Sequence, residues 1–324
     1  MSRRLRIAVL AVVLSIGLSS EAAAASGPSI PFEDAGGQGV AAADGSYRYV
    51  TLRQGLRNGY ETTLLKINQE GGQVVKQRTI DEDFAVAAVT YDGTPTGLSH
   101  DGSTLALIKP RSSYFRRQTQ LLLLDAERLN GGPGRITLPG DFSLDALSPD
   151  GKTLYLIEHP DRRDFGSYQV RSFDIAREKL DPRPILDSEE EPGEMRGFPQ
   201  TRATSADGHW EYTLYDGDEH PFIHALDVAE GATVCIDLEM IHAKQTYGAT
   251  LEMSDDGSMI LLTDRKGELR AVVDTETFET REPIEEASAT IDTADDDSGL
   301  PAGVLAGGVA LLSLGGIVLL RRRE

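Results

Sequence analysis

Short apolar runs and polar turns alternate through the middle of the chain, and one turn keeps returning. Ala43-Asp44-Gly45-Ser46, Ser99-His100-Asp101-Gly102, Ser148-Pro149-Asp150-Gly151, Ser205-Ala206-Asp207-Gly208 and Ser254-Asp255-Asp256-Gly257 set Asp-Gly at separations of 57, 49, 57 and 49 residues. Each copy stands between strand-like runs, for example Leu144-Asp145-Ala146-Leu147 before and Leu154-Tyr155-Leu156-Ile157 after. Asp-Gly in that setting predicts a hairpin, because glycine accepts the positive φ of a tight turn. A second landmark follows in step: an apolar run closing on Asn68, Asp125, Asp174, Asp227 or Asp274. These lie 24, 24, 24, 20 and 18 residues after the preceding Asp-Gly aspartate. Two landmarks in fixed order, five times over, predict five copies of one small sheet. The mean period of 53 residues exceeds the ~40–50 residues of the longer known sheet repeats, and the surplus belongs in loops.

Both ends of the chain depart from this alternation. Residues 1–25 begin with Arg3, Arg4 and Arg6, continue through 12 residues of apolar core at 7–18, and close on Ala22-Ala23-Ala24-Ala25. That order reads as a secretory signal peptide, and the core is too short to cross a ~30 Å hydrocarbon layer. Residues 300–320 are 21 positions without a charged side chain, followed at once by Arg321, Arg322 and Arg323. Such a stretch predicts one transmembrane helix, and the arginines set its end on the cytoplasmic side. Leu300-Pro301-Ala302-Gly303-Val304 approaches a sortase signal but lacks the Thr-Gly pair at which cleavage occurs, so retention as an intact membrane helix is expected. Residues 285–299, with Glu285, Glu286 and Asp295-Asp296-Asp297 among small side chains, are too polar to pack and read as a tether. The expected organisation is therefore a signal peptide at 1–25, a folded body at 26–284, an acidic flexible tether at 285–299, a membrane helix at 300–320 and a cytoplasmic tail at 321–324.

The Ser-Pro-Asp-Gly-Lys-Thr-Leu-Tyr run at 148–155 and its four looser copies resemble the blades of TolB-like and WD40-like propellers. The resemblance spans about residues 37–284 and implies an all-β fold: a β-propeller of about five blades, with room for a divergent sixth, plus the C-terminal helix. In blades of that kind the inner strand runs into Ser-x-Asp-Gly and the third strand ends in Asp. The Asp-Gly turns and the turns after the third strands then share one face. Longer connections, here 53–59, 109–119, 159–167 and 188–202, share the other, where binding residues concentrate on a rigid scaffold. The Trp-Asp pair of eukaryotic WD40 repeats is absent, and Trp210 is the single tryptophan.

Charge narrows the partners. The whole chain carries a net −20. Without its two ends it holds 26 basic and 50 acidic residues, a net of −24, which repels nucleic acid and anionic lipid. Against that background Lys109, Arg111, Arg116 and Arg117 fall in one long connection and Arg162 and Arg163 in the next, with Glu189, Glu190, Glu191 and Glu194 nearby. These six basic residues are the candidate partner face, and an acidic counterpart that merely balances them is the plainer alternative. Candidate chemistry is sparse. Gly97-Leu98-Ser99-His100-Asp101 gathers Ser, His and Asp within one turn, where they cannot converge as a triad. His220 and His224 read as a strand pair ~13 Å apart, too far for one metal. Asp216-Gly217-Asp218-Glu219 lacks the spacing of an EF-hand loop. Cys235, the single cysteine, sits in a strand-like run and reads as a small apolar side chain. No catalytic residue, metal or cofactor is assigned. The leading expectation is a membrane-anchored extracytoplasmic binding module for a cell-envelope protein or polymer. The alternative is a lactonase-like or glycan-cleaving hydrolase with acids and histidines in the central channel.

Overall fold

The computed structural model describes residues 33–188, 195–217 and 220–283. The signal segment, tether, apolar C-terminal stretch and basic tail lie outside these residues, as do Glu189 to Glu191, Glu194, Asp218 and Glu219. Among the described residues no helix is long and apolar enough to cross a membrane.

The described residues form five antiparallel sheets in chain order, the blades of a β-propeller. Blade 1 consists of Val40–Ala41, Tyr47–Leu56, Gly59–Asn68 and Val74–Ile80, paired consecutively. Blade 3 uses Phe142–Leu147, Thr153–Glu158, Ser167–Asp174 and Lys179–Leu180, with Met195–Arg196 added beside its third strand. Blade 4 is Pro199–Thr204, Trp210–Tyr215, Phe222–Asp227 and Ala232–Asp237, and blade 5 is Thr250–Met253, Met259–Thr263, Leu269–Asp274 and Thr280–Arg281. In blade 2 the strands Thr104–Ile108, Gln118–Asp125 and Gly134–Pro139 pair regularly. Its inner strand is broken: Ala85 bridges to Ile108, Leu98 bridges to Leu105, and the chain between them leaves the sheet as a small hairpin, Ala87–Ala88 against Pro95–Thr96.

Every Asp-Gly turn falls between the first and second strands of its blade, and the five glycines have φ from +66° to +73°. In four blades the serine two positions before the aspartate locks the turn from both sides. Ser148 Oγ donates to Asp150 Oδ1 at 2.8 Å and accepts from the Thr153 amide at 2.9 Å. Ser99, Ser205 and Ser254 repeat this. Blade 1 has Ala42 at that position, and Asp44 takes the Ser46 amide and hydroxyl instead. The terminal Asp or Asn of each third strand caps the next turn, as when Asp125 accepts from the Arg128 amide at 2.8 Å and Asp174 from the Arg177 amide at 2.9 Å. Both landmarks of the repeat are thus turn-makers.

Four buried apolar clusters join neighbouring blades. Leu64 meets Leu105 and Leu107 between blades 1 and 2, and Leu121 and Leu123 meet Leu154 and Leu156 between blades 2 and 3. Tyr155, Tyr168 and Val170 meet Leu226 between blades 3 and 4, and Tyr212 and Leu214 meet Ile260 and Leu262 between blades 4 and 5. A blade sandwiched on both faces needs middle strands apolar on both faces, hence the unbroken run Leu121-Leu122-Leu123-Leu124. One expected loop is a strand pair instead. Residues 53–59 continue the blade 1 hairpin down to Leu56 opposite Gly59, with Arg57 and Asn58 as the two-residue turn.

Candidate functional site

The long connections at 109–117 and 159–166 emerge side by side from blades 2 and 3, on the face opposite the Asp-Gly turns. The six candidate basic residues separate here into two groups. Arg111 and Arg116 are buried, their side chains only 6% and 9% exposed. Arg116 donates to both oxygens of Glu33, at 2.7 and 2.9 Å, and to the Lys109 carbonyl at 3.0 Å. Arg111 pairs with Asp141, donates to Ser143 Oγ at 2.9 Å, and holds Nε 3.0 Å from Glu33. The counter-charges are therefore Glu33 and Asp141. Burial outweighs attraction on both sides of the Glu33–Arg116 contact: the Glu33 carboxyl is raised and the Arg116 guanidinium lowered from their ordinary values. A buried ion pair behaves this way when desolvation is the larger effect, and such a network fixes geometry more than it adds stability. His159, against the same two arginines, is pushed down to about 3 by burial first and by their charge second. It is a neutral ring at physiological pH.

Lys109, Arg117, Arg162 and Arg163 remain at or near the surface. Lys109 lies 3.4 Å from Glu82. Arg117, Arg162 and Arg163 are exposed, and among the described residues no carboxylate pairs with their side chains. The two loops are joined by an aromatic clasp. Tyr114 and Phe115 meet Phe165 edge-on, with centroids at 4.5 and 6.5 Å, Arg111 stacks under Phe165 at 4.9 Å, and Arg162 lies over Phe115 at 4.7 Å. Edge-to-face pairs and cation–π contacts each contribute ~0.5–1.5 kcal/mol and set orientation. The clasp leaves Tyr114 45% exposed and, of the exposed arginines, engages Arg162.

The ring centre is occupied on this side. From the broken inner strand of blade 2 the hairpin crosses to blade 4, where the Tyr91 and Asp92 amides donate to the carbonyls of Pro199 and Gln200 at 2.9 and 3.2 Å. The Asp92 carboxylate accepts from Thr90, Thr94 and Thr201, which lower its pKa against the effect of burial. Thr96 donates to the Asp145 carbonyl of blade 3 at 2.8 Å. Asp145 and Gln200 both sit at β-bulges, which turn backbone groups out of the ladder and toward the hairpin. Arg202 completes the junction, pairing with Asp145 and lying 3.8 Å from Glu211. Ser143 Oγ lies 3.2 Å from His159 Nε2 beside this junction, but the void they line measures about 20 Å³, room for one water and no substrate.

Larger spaces open at the Asp-Gly face. One, of about 230 Å³, is lined by Pro95 to His100, Val40, Leu147, Thr204 and Glu211. The other, of about 440 Å³, lies between the turns of blades 1 and 2 and reaches Ala206 of blade 4. Its walls carry Tyr47, Tyr49, Lys66, His100, Asp101, Asp44 and Glu127. Sequence reasoning assigned this face to turns alone. Of its features only Lys66, a charged residue within the otherwise apolar run Leu64-Leu65-Lys66-Ile67, signalled anything beyond a blade. His224 is buried in its strand 2.7 Å from Thr233 Oγ1, and His220 pairs with Asp237 at 2.9 Å. Among the described residues no group of three metal-ligating side chains comes together.

No protein-family model matches the sequence, and no curated protein matches it. Solved propeller-containing structures do. Hydrazine synthase of Kuenenia stuttgartiensis shares 14% identity at a TM-score of 0.46, over 80% of this chain and 68% of that one. TolB of Acinetobacter baumannii shares 15% at 0.40, over 75% of this chain and 55% of that one. The propeller domain of Cps50 (Swd1) from Myceliophteria thermophila shares 10% at 0.45, over 76% and 71%. At such identities the likeness concerns fold alone.

Proposed function

We propose that this protein is a non-catalytic binding module, displayed outside the cell membrane on its C-terminal helix, that engages an anionic cell-envelope protein or polymer. The observation that carries the proposal is the pair of loops clasped by Tyr114, Phe115 and Phe165, with Arg117, Arg162 and Arg163 exposed and paired with no carboxylate among the described residues. In a chain of net charge −20 such an island is maintained against the general composition. Arginine suits it, because its planar fork binds carboxylate or phosphate through paired hydrogen bonds. Arg111 and Arg116 serve from beneath, tying the loop roots to Glu33 and Asp141. The hydrolase alternative draws no support from the channel on this side, where the hairpin from blade 2 takes the space a substrate would need.

Cross-linking of the full-length protein in its native membrane, followed by mass spectrometry of captured material, tests the reading. One envelope component is expected with the wild type and lost when Arg117, Arg162 and Arg163 all become Glu. Equal capture by that variant would overturn the assignment of this face. The interaction is also expected to weaken as salt rises, since exposed charges are screened within a Debye length of ~8 Å at 0.15 M.

A further inference from the structure

The 440 Å³ crevice on the opposite, Asp-Gly face has an unusual floor. Lys66 is buried there, its side chain 4% exposed, with the ammonium 4.0 Å from the Tyr47 ring centre and 5.8 Å from that of Tyr49. Its ion-pair partner is Glu127, and that side chain is 78% exposed on the rim. The two members of this pair are not equivalent. A buried ammonium cannot go without an anion, because desolvation of an unpaired charge is costly. An exposed carboxylate can swing into water with little loss, because solvent screens the pair it leaves. The main chain beneath Glu127 is held separately, by the Lys76 ammonium donating to the Glu127 carbonyl at 3.0 Å, so the side chain can leave without moving the turn.

We propose that the crevice binds a small zwitterionic ligand of amino-acid or short-peptide chemistry, whose carboxylate replaces that of Glu127 on Lys66. Exchange of one carboxylate for another keeps the lysine paired, and the ligand adds contacts with the walls. The rest of the lining defines the other end of the ligand. Asp44 and Asp101 both line the crevice, and each spends Oδ1 on its own turn, Asp44 on Ser46 and Asp101 on Ser99 and Ser103. Those hydrogen bonds hold both carboxyls below the usual range and hence ionised. Two negative charges on the wall repel a second anionic group and attract an ammonium. The volume lies within the ~300–1,000 Å³ of small-ligand sites. Glu127 competes from within the same molecule, at the high effective concentration of a tethered group, so binding is weak to moderate. The site lies on the opposite face from the arginine loops and does not depend on the reading given to them.

Titration calorimetry of the full-length protein with L-alanyl-L-alanine, its N-acetyl form and its C-terminal amide tests the proposal. The free dipeptide is expected to bind, and both blocked forms at least about tenfold more weakly, each losing a charge-assisted contact. Lys66→Met, which keeps the apolar stem and strands only an exposed glutamate, is expected to abolish binding without loss of fold. Glu127→Gln is expected to tighten binding about fivefold by removing the competitor. No heat with the free dipeptide, equal binding of the N-acetyl form, or weaker binding in Glu127→Gln would each overturn the proposal. If either variant fails to fold, the comparison of the three dipeptide forms on the wild-type protein decides.

Discussion

At the scale of single residues, two buried histidines make this fold sensitive to acid. His159 lies against Arg111, Arg116, Ser143 and Phe165, and burial first and the two arginines second push it down to about 3. His224 lies beside Thr233 and Tyr215; burial first and Arg202 second push it down to about 4, against the pull of Asp145 and Asp187. Both are neutral in the folded protein and become protonated when it unfolds below about pH 6.5. The sign follows: stability is fully present above pH 6.5 and declines as pH falls toward 4, because the unfolded chain binds the extra protons. Glu33 and Glu211, whose carboxyls burial raises, act in the opposite sense, so the comparison is made between variants. From pH 7.5 to pH 5, wild type is expected to lose about 2 kcal/mol more than His159→Gln, measured by chemical denaturation. Equal losses would show that His159 is not held neutral.

At the scale of elements, the hairpin between Ala85 and Leu98 is what distinguishes this ring from five equal blades. It ties blade 2 to blades 3 and 4 across the centre, while the apolar clusters join only neighbours. Asp92 is its keystone, since one carboxylate gathers three threonine hydroxyls from two blades. Asp92→Ala is expected to lower stability by ~1.5–3 kcal/mol, the range for hydrogen bonds to a charged group, and to leave the far-ultraviolet spectrum of the blades unchanged. A melting temperature equal to wild type would mean the hairpin is not a strut. Gly97, where the inner strand resumes, has φ of +113°, and a Cβ there would lie 2.5 Å from the Ala106 carbonyl. No other residue rejoins the ladder at that point without displacing it.

At the scale of the whole molecule, the proposed address makes a separate prediction. Full-length protein is expected to sediment with membranes and resist alkaline extraction, and a chain ending at residue 299 to be released to the outside. Recovery of that shorter chain inside the cell would sink the signal-peptide reading, and its retention on membranes would sink the anchor.

The five Asp-Gly turns and the five strand-terminal acidic or amide residues determined the blades from sequence alone, because turn chemistry is local. Each Asp accepts from amides and hydroxyls within a few positions of itself, and glycine supplies the positive φ wherever it stands. Even within 53–59, expected as a loop, the hairpin closes locally through the two residues Arg57 and Asn58. The candidate face was legible only as a list of basic residues. Composition could not say that Arg111 and Arg116 go inward while Arg117, Arg162 and Arg163 stay out, because Glu33 is about 80 residues distant in the chain and Asp141 belongs to the next blade. Likewise the bulges at Asp145 and Gln200, the hairpin they receive, and the pairing of buried Lys66 with exposed Glu127 join residues from separate repeats. Those contacts exist only after the ring has assembled. The repeat therefore fixed what each blade is, and packing between blades decided which charges are buried, where the centre is filled, and where a ligand can enter.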